Sequence, residues 1–310
     1  MSRYEQAAAL PEKQAEAMNQ AGNEPAVFVE YYTDPLCSWS WAFEAQWRRL
    51  RYECAGRLGW RYHMGGLLPN WQSYDDPFND IGSPTQMGPQ WLHVSELSGT
   101  PLDGHLWQRD PPASSYPACI AVKAAQCQGQ AVAESYLRRL REAVMLEQRN
   151  IARQDILLEV AQQTARAAPK KPSLDLDRFS ADLNMPQTME AFRQDLREAA
   201  YHGIGRFPTL IVRCFDGHGI VLVGYRPYDV LKAALEHLVP DLLQRSEISC
   251  KDLVVDYVTH WQRVTAHEVA EIFDGDSNRI LELLESLIAK GALALADDSQ
   301  SEVPIYIPAL

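Results

Sequence analysis

Two residues, three apart, carry the chemistry this chain could perform. Cys37 and Ser40 lie in the stretch VFVEYYTDPLCSWSWAFEAQW, from Val27 to Trp47. The apolar, β-rich run at its start ends in Thr33, Asp34 and Pro35, and a helix-forming pattern begins directly after the cysteine. A thiol at such a turn faces unpaired backbone N–H groups and the positive end of a helix dipole, which favour the thiolate. Thiolate is the form that attacks disulfides and electrophiles. A dithiol motif would repeat the cysteine at position 40, where serine stands instead. The motif is therefore Cys-Ser-Trp-Ser, and the functional question turns on that serine.

The elements that must position Cys37 follow in chain order. Residues 1–24, rich in Ala, Gln and Glu, read as a tail or frayed helix. A strand is expected from Val27 to Tyr32, then one helix carrying Trp41, Phe43, Trp47 and Leu50 and fading around Gly56. A second strand, Leu58 to Met64, ends at Gly65 and Gly66, so the opening is a right-handed β-α-β unit. From Leu67 to Pro117 the chain is irregular and rich in Pro, Trp, Gly and Asp, with one helix from Thr85 to Leu97. Aromatic loops of that length are usually functional or hold a lid, but large tryptophans are usually buried, and Trp71, Trp91 and Trp107 are expected first of all to roof the core. Pro117 to about Asn184 is a helical block, with Tyr136, Leu137, Leu140, Val144 and Met145 at helical spacing and a break at Pro169 to Pro172. A helix from Thr188 to Tyr201 then leads to a hairpin, Thr209 to Phe215 and Ile220 to Gly224, and to a helix from Pro227 to Leu238.

This order is the thioredoxin pattern with helices inserted after its first half. Phe207, Pro208 and Thr209 stand just before the hairpin, and Pro208 is expected as a cis-proline facing the nucleophile, leaving backbone groups free to pair with an extended substrate. The expected class is α/β: residues 25–245 form a thioredoxin-like domain with a helical insertion at about 78–200, and a small module follows at 248–310.

On these residues the chain resembles the DsbA-related branch of the thioredoxin superfamily. It is most similar to cytosolic members carrying Asp-Pro-x-Cys-x-Trp-Cys-Trp, among them FrnE-type oxidoreductases and the adaptor that delivers the Spx regulator to the ClpXP protease. Asp34, Pro35, Cys37, Trp39 and Trp41 match, as do Ser115 to Ala118, Gly203 to Thr209 and Gly224 to Arg226. The resemblance covers roughly Val27 to Leu243. It implies thiol chemistry or partner binding at Cys37, and the family spans oxidoreductases, a glutathione transferase class, an isomerase and adaptors.

Ser40 removes the group that releases a mixed disulfide, since the second cysteine must come within about 7 Å between Cα atoms. Cys54, seventeen residues along the same predicted helix, would be on the order of 25 Å away at about 1.5 Å per residue. Cys214, six residues beyond Pro208, would be on the order of 20 Å away along a strand. Cys119 and Cys127 could be brought near only by folding. All four are expected to be buried as small apolar residues.

Three readings of the site follow. Cys37 acts as a monothiol, with glutathione or another small thiol resolving the intermediate or held as in kappa-class transferases. Alternatively the groove binds a client protein without catalysis. A cysteine-to-serine replacement in a dithiol enzyme would leave the same motif. In the first reading Cys37 and Ser40 are catalytic, Glu30 is an inward carboxylate of raised pKa that passes protons, and Trp39, Trp41, Phe207, Pro208 and Thr209 bind substrate. No cofactor is expected to be bound tightly.

Charge and composition narrow the partners. With 29 basic against 41 acidic residues, net charge is −12 and the pI near 5.1, which disfavours nucleic acid and anionic membranes. The eight histidines show no metal-ligand spacing. Neither a signal peptide nor a membrane-spanning run is expected, so the reading is a cytoplasmic protein whose six cysteines are free thiols. The last stretch reads as three amphipathic helices and a hairpin, the winged-helix order. Its four basic residues against eleven acidic ones favour protein contact over DNA.

Overall fold

The computed structural model describes residues 25–309, apart from 55, 75, 77–80, 168–172, 244–249, 274 and 297–302. The expectations for residues 1–24, for the break at 169–172 and for the start of the insertion near 78 lie outside the described residues.

A four-stranded sheet in the order β2-β1-β3-β4 carries the fold. The strands are β1 (Val27–Thr33), β2 (Leu58–Met64), β3 (Thr209–Cys214) and β4 (Gly219–Val223). β1 pairs in parallel with β2, from Val27↔Leu58 to Thr33↔Met64, and antiparallel with β3. Its β-branched and aromatic residues suit a central strand covered on both faces, and all seven are buried. Side chains alternate along it. Val29 and Tyr31 join the main core, whereas Tyr32 packs with Cys37 and Phe207.

The helix expected after Cys37 is two helices, α1 (Ser38–Ala42) and α2 (Glu44–Glu53), broken at Phe43. Tyr31 draws Phe43 and Trp47 edge-on at 5.7 and 5.3 Å, so the break turns both aromatic rings into one core. The insertion comprises α3 (Met87–Ser98), α4 (Leu106–Arg109), α5 (Tyr116–Gln126), α6 (Gln130–Met145), α7 (Gln154–Ala167), α8 (Leu176–Asp182) and α9 (Pro186–Tyr201). Trp107 meets Trp91 and Trp71 edge-on at 5.3 and 6.0 Å. Trp91 and Trp107 are fully buried, so these rings roof the core. After β4, α10 (Tyr228–Leu238) closes the thioredoxin-like part.

The C-terminal stretch forms α11 (Cys250–Trp261), α12 (Ala266–Ile272), α13 (Ser277–Ala289) and an antiparallel pair, β5 (Leu293–Leu295) with β6 (Tyr306–Pro308). Val254, Val258, Val269, Leu284 and Leu287 give it a core of its own. It is joined to the rest through buried charge. Glu268 on α12 takes Arg48 of α2 and, at 2.8 Å, Arg138 of α6. Arg263 reaches Glu142 at 2.7 Å and Glu147 at 3.1 Å. The same network continues from Arg48 to Glu44, then to Arg141 and Thr33, at the end of β1.

Candidate functional site

The turn after β1 is built on Asp34. Its buried carboxylate accepts from Leu36 N–H at 2.8 Å, Leu67 N–H at 2.7 Å, the Ser115 hydroxyl at 2.9 Å and the Cys119 thiol at 3.3 Å. It therefore ties the cysteine turn to the segment after β2 and to the start of α5. Burial pushes this carboxyl up in pKa against those donors.

Cys37 is the N-cap residue of α1, with extended backbone (φ −80°, ψ 111°) and a side chain that does not cap the helix. Its thiol points instead to the proline loop, donating to the Phe207 carbonyl oxygen at 3.5 Å. The Phe207–Pro208 bond is cis, as expected. Gly65 makes room for this loop: a Cβ there would fall 2.0 Å from Phe207 Cζ.

Cys37 is 5% exposed, packed by Tyr32, Ala199, Phe207 and Ile211. It forms part of the wall of a cleft of ≈ 640 Å³. The remaining wall comes from Trp39, the segment after β2 (Gly65 to Leu67, Pro69, Ser73, Tyr74 and Asp76), and the loops Ile204 to Phe207 and Val223 to Arg226. Trp39 lies 5.4 Å from the Tyr225 ring, whose hydroxyl accepts from Gln46 at 2.9 Å.

The electrostatics correct the expected thiolate. Burial pushes the Cys37 thiol up; the Ser40 hydroxyl and amide and Arg141 pull it back less, and Asp34 adds to the rise. That direction favours the thiol, the form that can donate to a carbonyl. Ser40 is sealed from solvent, and its hydroxyl forms no hydrogen bond of good geometry.

Other expected site residues stand elsewhere. Trp41 does not line the cleft: it is buried under Arg138, 4.6 Å from the ring, and its indole N–H donates to Pro101 O at 3.0 Å. Thr209 is buried in the sheet opposite Tyr32 and Val223, its hydroxyl bound to Arg206 O at 2.7 Å. Pro208 is buried, its carbonyl taken by Gly224 N–H at 2.7 Å. Glu30 is paired with Arg213 and lies 3.4 Å from His63 Nε2, which commits it to neighbouring strands rather than to a proton path at the sulfur. Cys54 and Cys119 are fully buried, but Cys127 is exposed, contrary to expectation. The sequence reading missed Gly65, Tyr74, Arg206 and Tyr225 as cleft residues. The Gly65-Gly66 pair and the aromatic content of the loop were the available signals.

A thioredoxin family model matches residues 31–233. The chain belongs to the thioredoxin family. Its similarity extends to the ClpXP adapter protein SpxH of Halalkalibacterium halodurans, 29% identical over 271 residues, covering 86% of this chain and 85% of the relative. The SpxH of Bacillus subtilis is 27% identical over 250 residues, covering 79% and 78%. Among solved structures, the cytosolic disulfide reductase DsbM from Pseudomonas aeruginosa superposes with a TM-score of 0.52 at 23% identity, covering 68% of this chain and 98% of DsbM. That likeness is one of fold, in keeping with the thioredoxin-like sheet. No helix among the described residues is long and apolar enough to cross a membrane.

Proposed function

We propose that this chain is a cytoplasmic client-binding adaptor, which holds a protein segment in the Cys37 cleft and presents it to a ClpXP-type protease. The observation that carries this reading is the setting of Cys37: a buried thiol donating to the Phe207 carbonyl, with serine at the resolving position. A thiol in that form attacks disulfides slowly. It still supplies a polar contact in the wall of the cleft.

Coverage supports the same reading. The 271 residues aligned with the Halalkalibacterium SpxH exceed the length of 25–245, so that similarity runs beyond the thioredoxin-like part. DsbM is matched over nearly its whole length by only 68% of this chain.

The test is the rate at which purified ClpXP degrades Spx with and without the chain. The proposal expects acceleration that survives Cys37→Ala. No acceleration, together with turnover of a glutathione-linked disulfide that requires Cys37, would overturn it.

That turnover is the second reading, favoured by the position of Sγ in the cleft wall beside the Phe207 carbonyl. In it, the Cys37 thiolate attacks one sulfur of a disulfide substrate, the S–S bond breaks, and the departing thiolate takes a proton. Glutathione thiolate then attacks the mixed disulfide at the substrate-derived sulfur and returns Cys37 reduced.

A further inference from the structure

Among the described residues no strand pairs with the outer edge of β4, and that edge continues the cleft. β4 is the last strand, and its five residues, Gly219 to Val223, hold an unbroken register with β3. Gly224 N–H donates to the Pro208 carbonyl and Cys214 N–H to that of His218. Antiparallel alternation therefore turns the backbone groups of Ile220 and Leu222 toward β3 and those of Val221 and Val223 outward. The side chains of Val221 and Val223 are 38% and 40% exposed.

Proteins blunt such edges with charge, proline or a bulge. This strand has none of the three. Val223 belongs to both the edge and the cleft wall, and Arg206 and Arg226 stand exposed at the cleft end of the strand.

We propose that β4 receives an extended segment of the client as an added antiparallel strand, with β-branched residues along it and acidic residues at its N-terminal end. This rests on reading the cleft as the client site. The outward N–H and C=O groups of Val221 and Val223 supply the backbone pairing, and their side chains supply cross-strand apolar pairs. In antiparallel pairing the guest's N-terminus meets the C-terminal end of β4, where Arg226 stands exposed. On a protein of net charge −12 that cation fixes the guest's direction.

The probe is a fluorescein-labelled peptide of two glutamates followed by alternating valine and threonine, bound to the full chain and followed by anisotropy and amide hydrogen exchange. Val221→Pro removes an outward N–H and no bond to β3, so it should weaken binding roughly fivefold or more, one backbone hydrogen bond being worth about that factor. Exchange at Val221 and Val223 should slow with bound peptide, and Arg226→Glu should weaken binding too.

Should Val221→Pro misfold, peptides N-methylated at alternate nitrogens give the same answer. Only one of the two methylation registers should abolish binding to the unaltered chain. Unslowed exchange at both valines, or equal binding by both methylated peptides, overturns the edge proposal while leaving the ClpXP test of the cleft reading intact. Failure of that ClpXP test with β4 still protected by the peptide overturns the adaptor reading instead. A dimer of the unaltered chain that Val221→Pro splits would assign the edge to a second copy and refute the proposal.

Discussion

Glu268 is one of the residues that hold the C-terminal helices to the rest of the chain, and removing it has a calculable cost. Its carboxylate takes Arg48, Arg138 at 2.8 Å and the Tyr257 hydroxyl at 2.7 Å, and all the partners are buried. Glu268→Ala leaves both guanidiniums inside the protein, each with one anion remaining: Glu44 for Arg48 at 3.1 Å and Glu142 for Arg138 at 2.6 Å. Breaking a buried pair by deleting one partner costs about 3–5 kcal/mol, and the remaining anions place this case near the lower end. At ~2.1 cal/mol/K of unfolding entropy per residue, about 3 kcal/mol lowers the melting temperature of a chain this long by about 5 °C. Glu268→Gln keeps an acceptor and should lose roughly half as much. Calorimetry and urea titration read both variants. A shift under about 1 °C for the alanine variant would refute a network that stabilises the junction.

Gly65→Ala should displace the Phe207 ring, because the new methyl would occupy its position. A loss of about 1–3 kcal/mol in stability, with weakened client binding, is expected in melting and binding assays. Burial opposes ionisation of Glu142, but Arg138, Arg263 and Arg139 overcome it and hold its carboxyl down to about 2. Its contribution, roughly 3 kcal/mol, is therefore present above the unfolded pKa near 4.3 and lost as pH falls toward 2. Urea midpoints at several acidic pH values should fall less steeply in Glu142→Gln. Ser40→Cys should create a dithiol in which the introduced thiol oxidises onto Cys37 and the chain turns over disulfide substrates, both readable by mass spectrometry and a reductase assay.

Much of the scaffold was legible because it depends on local pattern. The bounds of β2 follow from an alternating, aromatic run closed by two glycines, and Phe207-Pro208 was recognisable from its place before the hairpin. What escaped depends on residues distant in the chain. The raised pKa of Cys37 comes from burial among Phe207, Ala199 and Ile211, more than 160 positions away. Trp41 reads as a cleft aromatic until Arg138 and Pro101 close over it. Glu30 reads as a free inward acid until β3 brings Arg213 across the sheet. The break at Phe43 has no proline or glycine to announce it; it follows from packing two aromatic rings against Tyr31. The donor set around Asp34, which draws on Ser115 and Cys119, has no sequence signature beyond the family motif.

The account rests on Cys37 being a contact rather than a nucleophile at rest. Peptide-resolved alkylation rates across a pH series, measured on the full chain and referenced to an unstructured cysteine peptide, test this directly. The expected midpoint for Cys37 lies above that of the reference peptide, in the direction its burial dictates. A midpoint below the reference peptide, with alkylation already fast at neutral pH, would contradict it and return the cleft to thiol exchange.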